Sequence, residues 1–317
     1  MKKIQKDILS TLAYFDLFRH PLTQKEIFLF LPSSYSKQVF TRALNEMVSN
    51  KIIFRFQGFY SLVGDPGLVE RRNKGHASAL EVLKTAKKIA AFLSLFPYIR
   101  GVAVSGSLSK YYADEHSDID FFIITAKNRL WIARTVAHLL KKLSFLFGKQ
   151  HLLCMNYFID EQRLEIEERN IFTATEIITL LPMKGAIVFE RFYNSNKWIE
   201  EYFPNHFMRI SSATEIKGNL LRGFIELLFN NPVGTMLDKR LMNITAKRWA
   251  EKTAQHKLND HGIVMSMAAT RYYSKPDPSR FQARLLDTYH KKLASLLSLP
   301  QRDNIIITHE APGPIAL

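Results

Sequence analysis

Two aspartates separated by one residue, Asp118 and Asp120, follow a Gly106-Ser107 step in the stretch Gly101-Val-Ala-Val-Ser-Gly106-Ser107, with residues 108–117 between the two motifs. Residues two apart on a strand leave the same face, so this spacing would hold two carboxylates side by side. Paired carboxylates repel unless a cation neutralises them, and hard oxygen ligands suit Mg²⁺ or Mn²⁺. A divalent ion so held can bridge the phosphates of a nucleoside triphosphate (NTP) and an attacking group. Gly106 lets the backbone come close to a phosphate. Ser107 can hydrogen-bond phosphate oxygens at the start of the next helix, where the dipole favours an anion. Lys110 follows one turn on and can neutralise a terminal phosphate. The chemistry suggested is phosphoryl or nucleotidyl transfer.

The elements that must position these groups are legible around them. Val102–Val104 is an apolar strand ending in small residues where the chain turns. Leu108–Ala113 suits a short helix and Asp114–Ser117 a polar loop holding His116. Ile119–Ile124 is a second strand, apolar on both faces and therefore buried. The expected order is strand, glycine-serine turn, short helix, then a strand bearing both acids. A helix over Arg129–Phe147, capped by Gly148, and a strand over His151–Ile159 follow. That strand should turn Leu152, Cys154, Asn156 and Phe158 inward.

Hydrophobic-Gly-Ser, a spacer and Asp-hydrophobic-Asp-hydrophobic together resemble the signature of the DNA polymerase β-type nucleotidyltransferase superfamily. The resemblance covers about residues 100–160. It implies an α/β (α+β) core with a mixed sheet, and transfer of a nucleoside monophosphate (NMP) from an NTP to an acceptor. Asp118 and Asp120 would be the catalytic metal ligands, and Gly106, Ser107 and Lys110 would hold the nucleotide. It also implies a third acid on a neighbouring strand, and there this chain departs from the pattern: Asn156 stands at the expected position. An amide can offer a metal its carbonyl oxygen but cannot act as a base. Four readings stay open: a one-base variant with Asn156 as metal ligand, an acid relocated to Asp160 or Glu165, a nucleotide binder without turnover, or a structural amide. Further phrases, Tyr14-Phe15-Asp16, Gly58-Phe59-Tyr60, Asn128-Arg129-Leu130-Trp131, Leu153–Phe158 and Asn170–Glu176, are similar to a bacterial family of predicted nucleotidyltransferases with an N-terminal winged helix. That likeness carries no substrate with it.

Ahead of this core, Ile4, Ile8, Leu9, Leu12 and Phe15 recur at helical spacing. Thr23 and Glu26 form a capping box for a helix ending before Pro32, and Ser36 caps a third helix over Lys37–Ser49. Ile52–Phe56 and Phe59–Leu62, joined by Gln57-Gly58, read as a hairpin. Three helices and a hairpin make the winged-helix pattern, whose third helix enters a DNA groove in many relatives. Lys37, Gln38, Thr41, Arg42 and Asn45 would be presented there, with Lys51 and Arg55 on the wing. Such a module equally serves protein docking. Residues 68–95 form a long amphipathic helix with Arg71, Arg72, Lys74, Lys84, Lys87 and Lys88 outward. The expected division is 1–64 winged helix, 65–205 catalytic core and 206–317 mostly helical.

Several secondary candidates have plain structural alternatives. Arg129 and Arg134 either grip a phosphate or line the charged side of a helix, and Trp131 belongs to the core. Glu176 closes a second capping box with Thr173. Asn194, Asn196 and Trp198 either shape an acceptor pocket or pack a loop. Arg271-Tyr272-Tyr273, Lys275, Arg280 and Arg284, in a tail running from Asp260-His261, either track a nucleic acid or belong to a helical tail docked on the core. Lys and Arg number 44 against 29 Asp and Glu, a net +15. The excess lies on the flanks, with sixteen basic against seven acidic side chains in residues 1–100 and sixteen against nine in 206–317. Such flanks attract polyanions. Cys154 is the only cysteine, which excludes an intramolecular disulfide and a thiolate cluster. No apolar run is long enough to span a bilayer, so the chain is expected in the cytoplasm without a membrane partner. The acceptor stays open among a small molecule, an RNA end and a protein, and an alternative function is a DNA-binding regulator that senses a nucleotide.

Overall fold

The computed structural model describes residues 1–115, 117–145, 154–207, 213–257, 266–276 and 281–298. Expectations resting on His116, Gly148, His151, Leu152, Asp260, His261 and Arg280 lie outside the described residues. The protein is α/β, with a mixed sheet and helices against both of its faces.

The N-terminal segment folds as its caps dictate. Helix α1 spans Lys3–Asp16, strand β1 Leu22–Thr23, α2 Gln24–Leu29, α3 Lys37–Ser49, β2 Phe54–Phe56 and β3 Phe59–Ser61. The Thr23 hydroxyl accepts from the Glu26 amide at 3.2 Å, and the Glu26 carboxylate accepts from the Thr23 amide at 2.8 Å. Ser36 Oγ accepts from the Val39 amide at 3.3 Å, opening α3. Gln57 and Gly58 both take positive φ, the turn that matches the twist of a two-residue hairpin. The two-residue β1 adds itself to β3, giving an antiparallel sheet of order β1-β3-β2. Ile8, Leu12, Phe40, Leu44 and Tyr60 are buried together beneath it.

Helix α4 (Gly67–Leu93) leads into the larger sheet. It buries Ala79, Leu83, Ala86, Ala90 and Leu93, a stripe at helical spacing. Arg71, Lys74, Lys84, Lys87 and Lys88 are exposed as expected. Arg72 is not: it is buried and its guanidinium meets Glu26 at 2.6 Å, fastening α4 to α2.

Six strands form the larger sheet. They are β4 (Ile99–Val104), β5 (Asp120–Thr125), β6 (Cys154–Asp160), β7 (Leu181–Lys184), β8 (Met267–Ala269) and β9 (Tyr273–Pro276), in the order β7-β4-β5-β6-β9-β8. β5 and β6 are parallel and every other pair is antiparallel. The helices between and after them are α5 (Gly106–Ser109), α6 (Leu130–Phe145), α7 (Ile171–Thr179), α8 (Ala186–Ser195), α9 (Leu220–Phe229), α10 (Pro232–Ala254) and α11 (Phe281–Ser298). Strand alternation splits the interior in two. Val102, Val104, Phe121, Ile123, Met155 and Phe158 pack in a core that includes Ala79, Ala90 and Trp131 of α4 and α6. Ala103, Phe122, Ile124 and Ile159 face the opposite way, into a core continuous with α7, α8 and the N-terminal segment.

Basic side chains are also used internally. Arg129 is buried and donates to the Phe229 carbonyl at 2.6 Å and to Thr235 Oγ1 at 3.1 Å, holding the α9–α10 corner. Arg134 is buried and donates to Ser274 Oγ at 2.8 Å. Neither lies on a solvated helix face. Glu226 of α9 accepts from both terminal nitrogens of Arg100, from the Tyr98 amide and from Arg222 Nε, all within 2.8–2.9 Å. The stretch expected to be mostly helical therefore supplies α9, α10 and α11 and also the sheet-extending β8 and β9. α11 returns to the start of the chain, where Tyr289 meets Tyr14 edge-on at 5.8 Å and Lys292 pairs with Asp16. Among the described residues no helix is long and apolar enough to cross a membrane.

Candidate functional site

The end of β4 and the start of β5 lie side by side, with the Ser105 amide donating to the Asp120 carbonyl at 2.9 Å. That pairing brings Gly106 against the Asp120 side chain. A Cβ on Gly106 would stand 2.5 Å from Asp120 Oδ2, and the residue sits at φ +65°. Glycine is required twice there, by the left-handed backbone and by the close carboxylate. The other oxygen, Asp120 Oδ1, accepts a hydrogen bond from Asn156 Nδ2.

Asn156 reaches that position through an irregularity in β6. Phe121 pairs with Met155 but Phe122 pairs with Tyr157, so Asn156 is an extra residue. A bulge of this kind re-aims side chains beside it. Cys154, Asn156 and Tyr157 consequently gather near Asp120 and Phe122. Phe158, expected on the same face, is buried in the opposite core. Asn156 Oδ1 accepts from the Cys154 thiol at 3.1 Å, so the amide links thiol to carboxylate.

Asp118 does not share the strand. The ladder starts at Ile119–Asp120, and Asp118 is exposed in the segment before it. The same-face argument from strand spacing therefore does not apply, although the two charges still interact. Burial pushes the Asp120 carboxyl up to about 7, with the Asp118 charge adding to the rise. Burial also pushes the Cys154 thiol up, to about 12, with the Asp120 charge next in importance.

Helix α5 is a single turn, Gly106–Ser109, where Leu108–Ala113 was expected; Tyr111, at φ 55°, ends any continuation. One turn aligns few peptide dipoles, which weakens the case for an anion at its start. Ser107 is half-buried and its carbonyl accepts from the Lys110 and Tyr112 amides. Lys110 is drawn back over the turn, 3.1 Å from the Gly106 carbonyl and 2.8 Å from Glu176 Oε1.

Glu176 is the acid that the sequence concealed. Its expected capping role fails because Asn170 caps α7, accepting from the Thr173 amide at 3.0 Å. Glu176 lies two turns inside, on the same helix face as Thr173, Ile177 and Leu180. A carboxylate within an apolar stripe was the available signal. The proposed relocations do not reach the site. Asp160 is fully buried at the far end of β6, accepting from the Asn128 and Gln162 amides at 2.6 and 2.8 Å. Glu165 pairs with Arg169 at 2.7 Å on the surface.

These groups edge a cleft of about 230 Å³. Ser105, Gly106, Asp120 and Asn156 form one end, α7 presents Phe172, Thr173, Glu176 and Ile177, and Lys275, Phe281 and Gln282 close the other side. Ser107, Lys110 and Asp118 stand around it, not in its lining. Lys275 pairs with Glu168 at 2.5 Å, so the aromatic-basic tail meets the cleft through a strand, β9. Asn194 is exposed, whereas Asn196 is a buried staple, bonding the Ile166 amide and the Leu164 and Phe192 carbonyls. Among the described residues no three His, Cys, Asp or Glu side chains converge to hold a metal ion. No protein-family model, curated protein or solved structure matches this chain.

Proposed function

We propose that this chain is a metal-dependent nucleotidyltransferase of polymerase-β type, with a winged helix in residues 1–64. The observation that carries the reading is the contact of Gly106 with Asp120 at the head of a cleft, where a glycine turn from one strand meets an acid on the next. The donor set suits one hard cation. Asp120 and Asp118 would be the carboxylate ligands, with Asn156 bonded to Asp120 through its amide nitrogen and its oxygen turned to Cys154. Mg²⁺ or Mn²⁺ is commonly held by one or two carboxylates and substrate phosphates. When bound, such an ion supplies charge neutralisation and alignment of the triphosphate.

Asp120 is the fixed member of the pair, pinned by Asn156 and Gly106. Asp118, exposed at the strand's mouth, can swing toward an incoming nucleotide. Gly106 and Ser107 offer a tight turn for the phosphates, and Lys110 stands one turn away with its charge shared by Glu176. Incubation with α-labelled NTP and Mg²⁺ or Mn²⁺ tests the reading. Transfer of label by the wild type, abolished in Asp120→Asn and Asp118→Asn proteins with unchanged melting, is expected. Full transfer by either variant would sink the proposal.

A second reading is favoured by the exposure of Lys37, Gln38, Arg42 and Asn45 along α3. In it the N-terminal segment binds duplex DNA and the nucleotide site regulates that binding. Duplex affinity should then fall steeply with salt and weaken in Arg42→Ala protein. Absent or salt-independent binding would remove this reading.

A further inference from the structure

The cleft beside Asp120 has a lining that discriminates between the acceptor classes. Its walls are mostly rings and branched chains: Phe122 and Tyr157 stack at 5.0 Å on the sheet side, and Phe172 meets Phe281 edge-on at 5.9 Å across the top. At about 230 Å³ it is smaller than the ~300–1,000 Å³ typical of drug-sized sites. Gln282 closes the rim by donating to Thr173 Oγ1 at 3.2 Å, so α11 and α7 form one wall.

The charges point the same way. Asp120, Glu168 and Glu176 border the cleft, and among the described residues its cations are Lys275, in the lining and paired with Glu168, and Lys110, beside it and paired with Glu176. An RNA or DNA end would bring further phosphates toward a surface whose two lysines are already engaged by carboxylates, and would need other basic partners for them. A neutral or cationic ligand with a flat apolar body meets no such penalty.

We infer that the acceptor is a small, uncharged or cationic molecule with a ring-sized apolar body and one hydroxyl, seated between Phe172 and Tyr157 with that hydroxyl against Glu176. The inference rests on the nucleotidyl-transfer reading and names its acceptor class and proton acceptor. Glu176 Oε1 is held by Lys110, which leaves Oε2 for the hydroxyl. In the step, the acceptor oxygen forms a bond to the α-phosphorus. The bond from that phosphorus to the bridging oxygen breaks, pyrophosphate leaves, and the hydroxyl proton passes to the Glu176 carboxylate.

The test supplies α-labelled NTP with the low-molecular-weight filtrate of a bacterial lysate, and separately with its RNA and protein retentate. Full-length wild type is compared with Glu176→Gln, Ile166→Trp and Gln282→Trp, and melting curves confirm folding. Ile166 is buried in the cleft wall and Gln282 is at its rim, so the second wedge remains informative should the first overpack. Label on filtrate components is expected. A general-base contribution is worth roughly 10²–10⁴-fold, so Glu176→Gln should lower kcat by about that factor with little change in acceptor KM. The tryptophan variants should raise acceptor KM and leave NTP binding unchanged. Label confined to the retentate, indifferent to the wedges, would overturn the acceptor class while keeping nucleotidyl transfer. Wild-type kcat in Glu176→Gln would overturn its role. No label anywhere, with no NTP binding, would remove both readings.

Discussion

Replacing Gly106 with alanine separates two effects that usually arrive together. The first is backbone strain: a non-glycine residue in the left-handed region costs about 1–2 kcal/mol. The second is the carboxylate. The new Cβ would stand 2.5 Å from Asp120 Oδ2, where ordinary contact begins at 3.4 Å, so Asp120 must retreat from its bond with Asn156. Overpacking of that kind adds about 1–3 kcal/mol. Gly58 provides the control, since it too has positive φ, +86°, but a Cβ there meets nothing within 4 Å. Gly58→Ala should therefore lose only the strain, and Gly106→Ala the sum, about 2–5 kcal/mol. A displacement near 1 Å in a positioned group costs on the order of 10²-fold in rate, so label transfer should fall by about that factor in Gly106→Ala alone. Urea unfolding and the transfer rate, measured on both variants, give the comparison. Equal stability losses and undiminished transfer would refute the claim that Gly106 is fixed by Asp120.

Two further outcomes follow from polar groups held in hydrogen-bond networks. Burial would raise the Glu226 carboxyl, but Arg100 and the Tyr98 amide outweigh it and bring it from 4.5 down to about 2. Because the folded value is depressed, its contribution is complete above the unfolded value and is lost as pH falls from 4.5 toward 2. At about 1.36 kcal/mol per pKa unit the shift sets an upper bound of roughly 3 kcal/mol, and solvent screening of this half-buried group reduces the contribution to about 1–2 kcal/mol. Glu226→Gln should lose it at pH 7 and show a flatter stability profile below pH 4.5, and an unchanged acid limb in urea titrations would count against the network. Asn196→Ala should cost about 3 kcal/mol by stranding the Ile166 amide and two carbonyls, and a loss below about 1 kcal/mol would show that water replaces the amide.

Local signals were legible where local physics decides. The capping pairs Thr23–Glu26 and Ser36–Val39, the Gln57-Gly58 turn and the apolar strand after Asp120 all follow from interactions between near neighbours in sequence. The expected mixed sheet also formed, but β9 and the edge strand β8 come from short segments without strand-like alternation, extended by pairing of β9 with β6 and of β8 with β9. Strand alternation misplaced Phe158 because one inserted residue, Asn156, reverses the face of everything after it. Glu176 was hidden by a cap-like phrase, Thr-Ala-Thr-Glu, whose start lies two residues inside the real helix. Arg72, Arg129 and Arg134 read as surface charge because their partners, Glu26, Phe229 and Ser274, are far away in sequence. The chemistry of Asp118, Asp120 and Gly106 rested on spacing; what spacing could not supply was the difference in environment between an exposed and a buried carboxylate.

The contact of α11 with α1 sets a timetable for the growing chain. Lys292 and Asp16 are 276 residues apart, and a ribosome adding ~5–20 residues per second needs roughly 15–55 s to make that stretch. Throughout that interval Tyr14 has no Tyr289 to cover it, so the segment around α1 waits with part of its apolar surface uncovered. Newly synthesised chains should accordingly pass through a state that binds holdase chaperones at α1, and release from them should coincide with emergence of α11.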